Sequence, residues 1–279
     1  MRSAATLAFA APTCVRVAGA VAHTALKRGG GVTSGVPGFE STPFRLASDT
    51  LIWVGVDGPM HPRTALIDAG AFDAPLAMSG AVAIRLDPWP KTDGGQRFSE
   101  NDAVTTATGA ILRLMNLSKP AGFGCLFTGA IPPFPLSHRV DAARTLAHAC
   151  AAGEPDALDS CARQLLGVGA GLTPSGDDFV GGALFALRLK PEAARWEPVS
   201  RAVVAHARQR THIISATLLA DLANGQSYAA LHAFSAAILR ADADGALGHA
   251  SELVSIGSSS GWDMLAGFFA ALAGTLEIS

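Results

Sequence analysis

Apolar and polar positions alternate over the first third of the chain and recur at helical spacing after it. Cys14-Val15-Arg16-Val17 alternates residue by residue, the pattern of a strand with one buried face. Phe44-Arg45-Leu46, Thr50 to Val56, Thr64 to Ile67 and Val82 to Leu86 are further short strand-like runs. Turn signals lie around them: Gly29-Gly30-Gly31, Asp57-Gly58-Pro59 and Asp93-Gly94-Gly95. This spacing predicts a small antiparallel sheet or a partly closed barrel over residues 1–98. From Ser99 the apolar period becomes helical. One helix is expected from an Asn101-Asp102 cap to about Leu117, one over Arg139 to Ala152 ending at Gly153, and one from Pro155 to Gly167. Others follow at roughly 178–189, 197–209, 212–223, 227–241, 247–255 and 263–276. The expected fold class is therefore α+β: a β-rich N-terminal sheet or partial barrel, 1–98, then a mainly helical C-terminal domain, 99–279.

One junction between helices breaks the pattern. Gly167-Val168-Gly169-Ala170-Gly171-Leu172-Thr173-Pro174-Ser175-Gly176-Asp177-Asp178 runs straight into the apolar stretch Phe179 to Leu187. A glycine-rich loop feeding a helix N-terminus exposes backbone N–H groups at the positive end of the helix dipole, which suits phosphate or carboxylate. It lacks the Gly-Lys of a P-loop, and it follows a helix rather than the strand of a dinucleotide-binding turn. A C-cap at Gly167 followed by a Ser or Asp N-cap is the plain structural alternative. Two adjacent carboxylates would repel an anion, so Asp177 and Asp178 require a different role, whether capping, metal binding or proton transfer.

Two other stretches join it. Ser259-Ser260-Gly261-Trp262-Asp263 repeats the Ser175-Gly176-x-Asp178 pattern 85 residues later, again followed by two apolar residues, a small residue and Gly. Two such helix starts facing one another would form one site. Thr211, Ser215 and Leu218 fall at i, i+4 and i+7, one face of a helix, where hydroxyls line a pocket or bond back to the preceding turn.

The run Gly169-x-Gly171-Leu172-Thr173-Pro174-Ser175-Gly176-Asp177-Asp178-Phe179, the Thr211…Ser215…Leu218-Leu219 segment and Ser259 to Asp263 together resemble the AllH family. The resemblance covers about residues 160–275. It implies a subunit of an oxamate carbamoyltransferase, which acts in allantoin breakdown, a branch of purine catabolism. Such a subunit works with other polypeptides on oxalurate, phosphate, oxamate and carbamoyl phosphate.

Composition narrows the alternatives. Of 279 residues 49% are hydrophobic and 16% charged, and mean hydropathy is +0.31, so surface burial against another chain is expected. The net charge of −2, with isolated lysines only, excludes a nucleic-acid-binding patch. Four scattered cysteines with no Cys-x-x-Cys argue for reduced thiols. Arg2 and the brief run Ala4 to Ala11 fall short of a secretory signal, and no run reaches membrane-spanning length, so a cytoplasmic protein without membrane contact is expected.

The catalytic candidates are Asp177, Asp178 and Asp263. Gly169, Gly171, Thr173, Ser175, Gly176, Thr211, Ser215, Ser259, Ser260 and Gly261 are the candidates for holding a small anionic substrate. Asp177 and Asp178 would carry Mg²⁺ if a metal is used; no cofactor is otherwise called for. A nucleophilic Ser175 would need a His base, yet only His212 lies in a motif and no Gly-x-Ser-x-Gly elbow occurs. Arg139, Arg163 and Arg210 are the nearest cations, and their distance from the loop suggests that a partner subunit supplies positive charge. Three readings stay open: a carbamoyltransferase subunit with its site between the two loops, a non-catalytic scaffold, or a stand-alone metal hydrolase or kinase-like enzyme.

Overall fold

The computed structural model describes residues 13–28, 32–33, 35–68, 76–78, 80–85 and 99–278. The expected turns at Gly29 to Gly31 and Asp93 to Gly95, the N-terminal run Ala4 to Ala11 and the junction at residue 98 lie outside them. The chain divides into two compact units, Met1–Leu86 and Asp87–Ser279.

The first unit is a curled, six-stranded sheet: β1 (Thr13–Gly19), β2 (Phe44–Ala47), β3 (Thr50–Gly55), β4 (Thr64–Ile67), β5 (Leu76–Ala77) and β6 (Val82–Ile84). The order is β2-β3-β4-β1-β5, with β6 also on β1. The alternation in Cys14 to Val17 holds: Val15 is buried, and Cys14 and Arg16 face solvent. The sheet is mixed rather than antiparallel. β3 runs parallel to β4, and β1 runs parallel to β5 and β6. A parallel pair needs a crossover that period-two patterning does not reveal. One helix went unforeseen, α1 (Ala20–Lys27), which buries Ala22, Ala25 and Leu26 at helical spacing directly after β1.

The second unit is helical: α2 (Glu100–Met115), α3 (Val140–Ala152), α4 (Pro155–Leu165), α5 (Ser175–Leu187), α6 (Ala193–Arg210), α7 (Ile213–Ala223), α8 (Ala229–Leu239), α9 (Ala243–Val254) and α10 (Ser260–Ala273). A 3₁₀ segment spans Gly122–Thr128. Every expected helix is present, with shifted ends. Ser99, not Asn101 or Asp102, caps α2, its side chain accepting from the Asp102 N–H. Gly153 ends α3 in the left-handed conformation, and Pro155 opens α4.

The centre of this unit is the pair α5 and α10. All residues of α5 are buried, and so is α10 from Gly261 to Leu272. The two helices meet backbone to backbone. A Cβ on Gly182 would lie 2.1 Å from the Met264 carbonyl oxygen, and one on Gly267 would lie 1.8 Å from that of Phe179. The 85-residue offset of the sequence repeat maps Gly182 onto Gly267 and Phe179 onto Met264, so each contact is the counterpart of the other. Each central helix also follows a helix pair, α3–α4 before α5 and α8–α9 before α10. The repeat is thus structural as well as local. Around it Phe123, Phe127, Phe179, Phe185, Phe234, Phe268 and Phe269 are fully buried and fill the space beside the small residues.

Glycine substitutions separate this contact from ordinary helical glycine. Gly182→Ala or Gly267→Ala lowers unfolding free energy by at least about 2 kcal/mol, because backbone has to move. Gly109→Ala in α2, whose Cβ meets nothing within 4 Å, raises it by about 0.5–1 kcal/mol. Denaturant titration of the three variants reads the contrast.

Candidate functional site

The loop before α5 turns with positive φ at Gly167, Gly169 and Gly171, a path that side chains with Cβ atoms resist. Gly169 is fixed sterically as well, since a Cβ there would lie 2.6 Å from the Ser175 nitrogen. The helix then begins at Ser175, four residues ahead of its apolar run, with Pro174 at the N-cap and no side-chain cap. Asp177 and Asp178 therefore sit inside the first turn, and neither caps α5. The Pro174 carbonyl accepts from the N–H groups of both, and the Gly176 N–H donates to Val168. At α10 the Gly261 N–H donates to Ile256 and the Asp263 N–H to Ser259. These helix-start donors are engaged within the fold. The N–H groups of Gly169 through Thr173 donate to no described residue, so the donors left at this site belong to the loop rather than to the helix end.

The three aspartates divide by partner. Asp177 ties elements together. Its Oδ1 accepts from the Gly167 N–H at 2.7 Å and its Oδ2 from the Ser215 hydroxyl at 2.6 Å, which fastens the loop and α7 to α5. Asp263 accepts from the Phe123 N–H at 2.6 Å through Oδ1, which seats the 3₁₀ segment on α10. Gly122, φ +54, makes that approach possible: a Cβ would lie 2.1 Å from the same oxygen. Oδ2 of Asp263 and Oδ2 of Asp178 are buried and accept from no described residue.

The hydroxyls interleave the two loops. Thr173 and Ser260 hydroxyls lie 2.9 Å apart, and Ser175 and Ser259 hydroxyls 3.3 Å apart. Thr173 and Ser260 attend Asp178, and Ser175 and Ser259 attend Asp263. Each buried carboxyl thus has one hydroxyl from each loop. The expected convergence of the Ser175-Gly176-x-Asp178 and Ser260-Gly261-x-Asp263 starts is what the structure places here.

Burial governs the charge of this pair. Asp178 is held well above the ordinary carboxyl range, first by burial and then by the neighbouring Asp263 charge; the Ser260 and Thr173 hydroxyls oppose the rise, and Asp177 adds a little to it. Burial pushes Asp263 up to about 7, against the Phe123 N–H and the Ser175 and Ser259 hydroxyls. Two neighbouring carboxyls raised in this way titrate as a unit and hold a proton near neutral pH. Tyr228, the chain's one tyrosine, is half-buried, and its phenol is raised first by desolvation and then by the charges of Asp178 and Asp221.

Other expected residues fall elsewhere. Thr211 ends α6 in extended conformation, ahead of α7, so it does not share a continuous helix with Ser215, and its hydroxyl has no partner among the described residues. His212 caps α7, accepting from the Ser215 N–H. The hydroxyl partner of Ser175 is Ser259, not a histidine. Arg163 pairs with Asp159 on α4, Arg210 is exposed, and no described Lys or Arg bonds to the three aspartates. Among the described residues no group of three or more His, Cys, Asp and Glu is arranged to hold a metal ion, so Asp177 and Asp178 do not share a ready ligand set. Gly122, Phe123 and Tyr228 were not foreseen. Phe123 contributes through its backbone, which carries no side-chain signal, while a single tyrosine in an otherwise Tyr-free chain was a readable one.

A pH dependence follows. A carboxyl whose folded pKa lies above its unfolded value contributes most below the unfolded value, near 4, and loses that contribution as pH rises through the folded one, about 7 for Asp263. The melting temperature should therefore fall between pH 5 and pH 8. Asp178→Asn, which removes the repulsion, should melt above the parent at pH 8 and show a flatter profile. A thermal melt series that rises with pH, or an Asn variant with the parent's slope, contradicts the shared burial of this pair.

No helix among the described residues is long and apolar enough to cross a membrane, and all four cysteines are free. Neither the curated proteins nor the solved structures contain a match to this chain. A family model described as oxamate carbamoyltransferase subunit AllH matches residues 165–272, from the last residue of α4 to Leu272 in α10, and so takes in both helix starts and all three aspartates. That stretch of the helical unit carries the sequence pattern of the AllH family.

Proposed function

We propose that this chain is a subunit of a carbamoyltransferase and that the two interleaved helix starts hold the carbamoyl group. The observation that supports this most is the pair of buried carboxyls, Asp178 and Asp263, each with one oxygen that no described residue engages and with hydroxyls from both loops. A pair that keeps one proton near neutral pH can both accept and donate.

In oxalurate breakdown a phosphate oxygen adds to the carbamoyl carbon. The C–N bond to the oxamate nitrogen then breaks. The pair serves this exchange by giving its proton to the departing nitrogen and taking one from the attacking phosphate. The charged form of the pair accepts from the carbamoyl –NH₂. In this scheme the N–H groups of Gly169 through Thr173, which donate to no described residue, hold the oxygen that becomes negative in the tetrahedral intermediate. Asp177 is a positioning residue in this scheme, because both its oxygens are taken by Gly167 and Ser215. Positive charge for the phosphate comes from another subunit, since no described Lys or Arg bonds to the three aspartates. Exposed Leu117, Ile131 and Phe134 offer apolar contact area to such a partner.

The test uses the assembled complex. Asp178→Asn and Asp263→Asn each lower kcat for carbamoyl phosphate formation by about 10²–10⁴-fold while the complex still assembles by size-exclusion chromatography. Assembly and turnover both near normal in the two variants would leave this chain a scaffold. Asp177→Asn lowers stability more than it lowers kcat per folded complex.

A further inference from the structure

We propose that the cavity between α6 and α7 is a second anion site, for a small phosphate ester. The cavity has a volume of about 490 Å³ and is lined by Arg188, Arg201 and Arg208 and by one acidic residue, Glu197. Arg201 and Arg208 bring two positive charges beside the one negative charge of Glu197. The rest of the chain gives no reason for such a cluster, because charged residues make up only 16% of it and acids outnumber bases, 23 to 21.

The three arginines are held differently. Arg188, at the C-cap of α5, donates to the Ala223 carbonyl at 3.2 Å and so anchors one wall against the end of α7. Arg201 and Arg208 lie seven residues apart, two turns along one face of α6. Neither pairs with any described residue, so their donors remain available to a ligand. Arg presents a planar fork of N–H donors that matches phosphate oxygens in pairs, better than it matches a lone point charge. The volume exceeds what a bare phosphate fills and lies in the range of small-molecule sites, about 300–1,000 Å³. Ala205, Ala220 and Ala223 on the remaining wall are small and apolar, which leaves space for the carbon part of an ester.

This site is separate from the paired helix starts. Ser215, which holds Asp177, stands in the first turn of α7, and the cavity lies along the last turn of the same helix. The two predictions therefore fail independently.

Isothermal titration of the full chain at fixed ionic strength, with glycerol 3-phosphate and with inorganic phosphate as probes, tests it. Saturable binding of the ester is expected, weakened about 100-fold in the Arg201→Gln/Arg208→Gln double variant and unchanged in Asp178→Asn. Both arginines are exposed, so the double variant keeps the parent's melting temperature. Equal affinity in the double variant, binding of inorganic phosphate alone, loss of binding in Asp178→Asn, or no saturable heat for the ester would each overturn the proposal.

Discussion

The contact of α5 with α10 at Gly182 and Gly267 is the constraint from which the helical unit follows. Only glycine lets the two backbones approach as closely as the Met264 and Phe179 carbonyls demand. Once they do, the residues ahead of the crossing are forced together, and Thr173 meets Ser260 while Ser175 meets Ser259. Burial of both helices is the other consequence. Side chains that would be solvated on a surface helix are here enclosed, among them three aspartates. The large phenylalanines around the pair fill what the glycines leave empty, so tight packing and small residues go together rather than in conflict.

Enclosure has an electrostatic cost, and the structure offsets it unevenly. The positive ends of two helix dipoles favour carboxylates near them. Asp177 gains two strong donors besides, and its role is mechanical. Asp263 gains one backbone donor, and Asp178 gains hydroxyls alone. The two under-satisfied carboxyls face a choice between an uncompensated buried charge and retention of a proton, and burial favours the proton. Neighbouring buried carboxyls raised in this way are a common mark of a functional site. The hydroxyl pairs matter in the same sense. They belong to both loops at once, so a change in either loop alters the charge state on the other.

Much of this was legible in the chain itself. The shift from period-two to helical patterning near Ser99 separates strands from helices, and the repeat of Ser-Gly-x-Asp at an 85-residue offset marks the two starts that meet. Four features were not legible. The parallel pairings of β1 with β5 and β6 depend on crossovers, which leave no period in the sequence. The first turn of α5 reads as loop because Pro174, Ser175 and Gly176 are all turn formers, and tertiary packing overrode that preference. The separation of Asp177 from Asp178 into a tie and an under-satisfied carboxyl depends on which way adjacent side chains point, and on Gly167 and Ser215 arriving from elsewhere. Adjacent identical residues carry no such information. The role of Phe123 is likewise invisible, since it acts through an N–H that every residue but proline possesses.

The proton held between Asp178 and Asp263 is the central physical claim. Carbon-13 labelling of the aspartate side chains, with carboxyl shifts followed by NMR against pH and assigned through the single Asn variants, observes it directly. Two coupled steps are expected, the lower one shared by the pair and the upper one near or above pH 7. Titration of both carboxyls at ordinary values, near pH 4 and independent of one another, would contradict it.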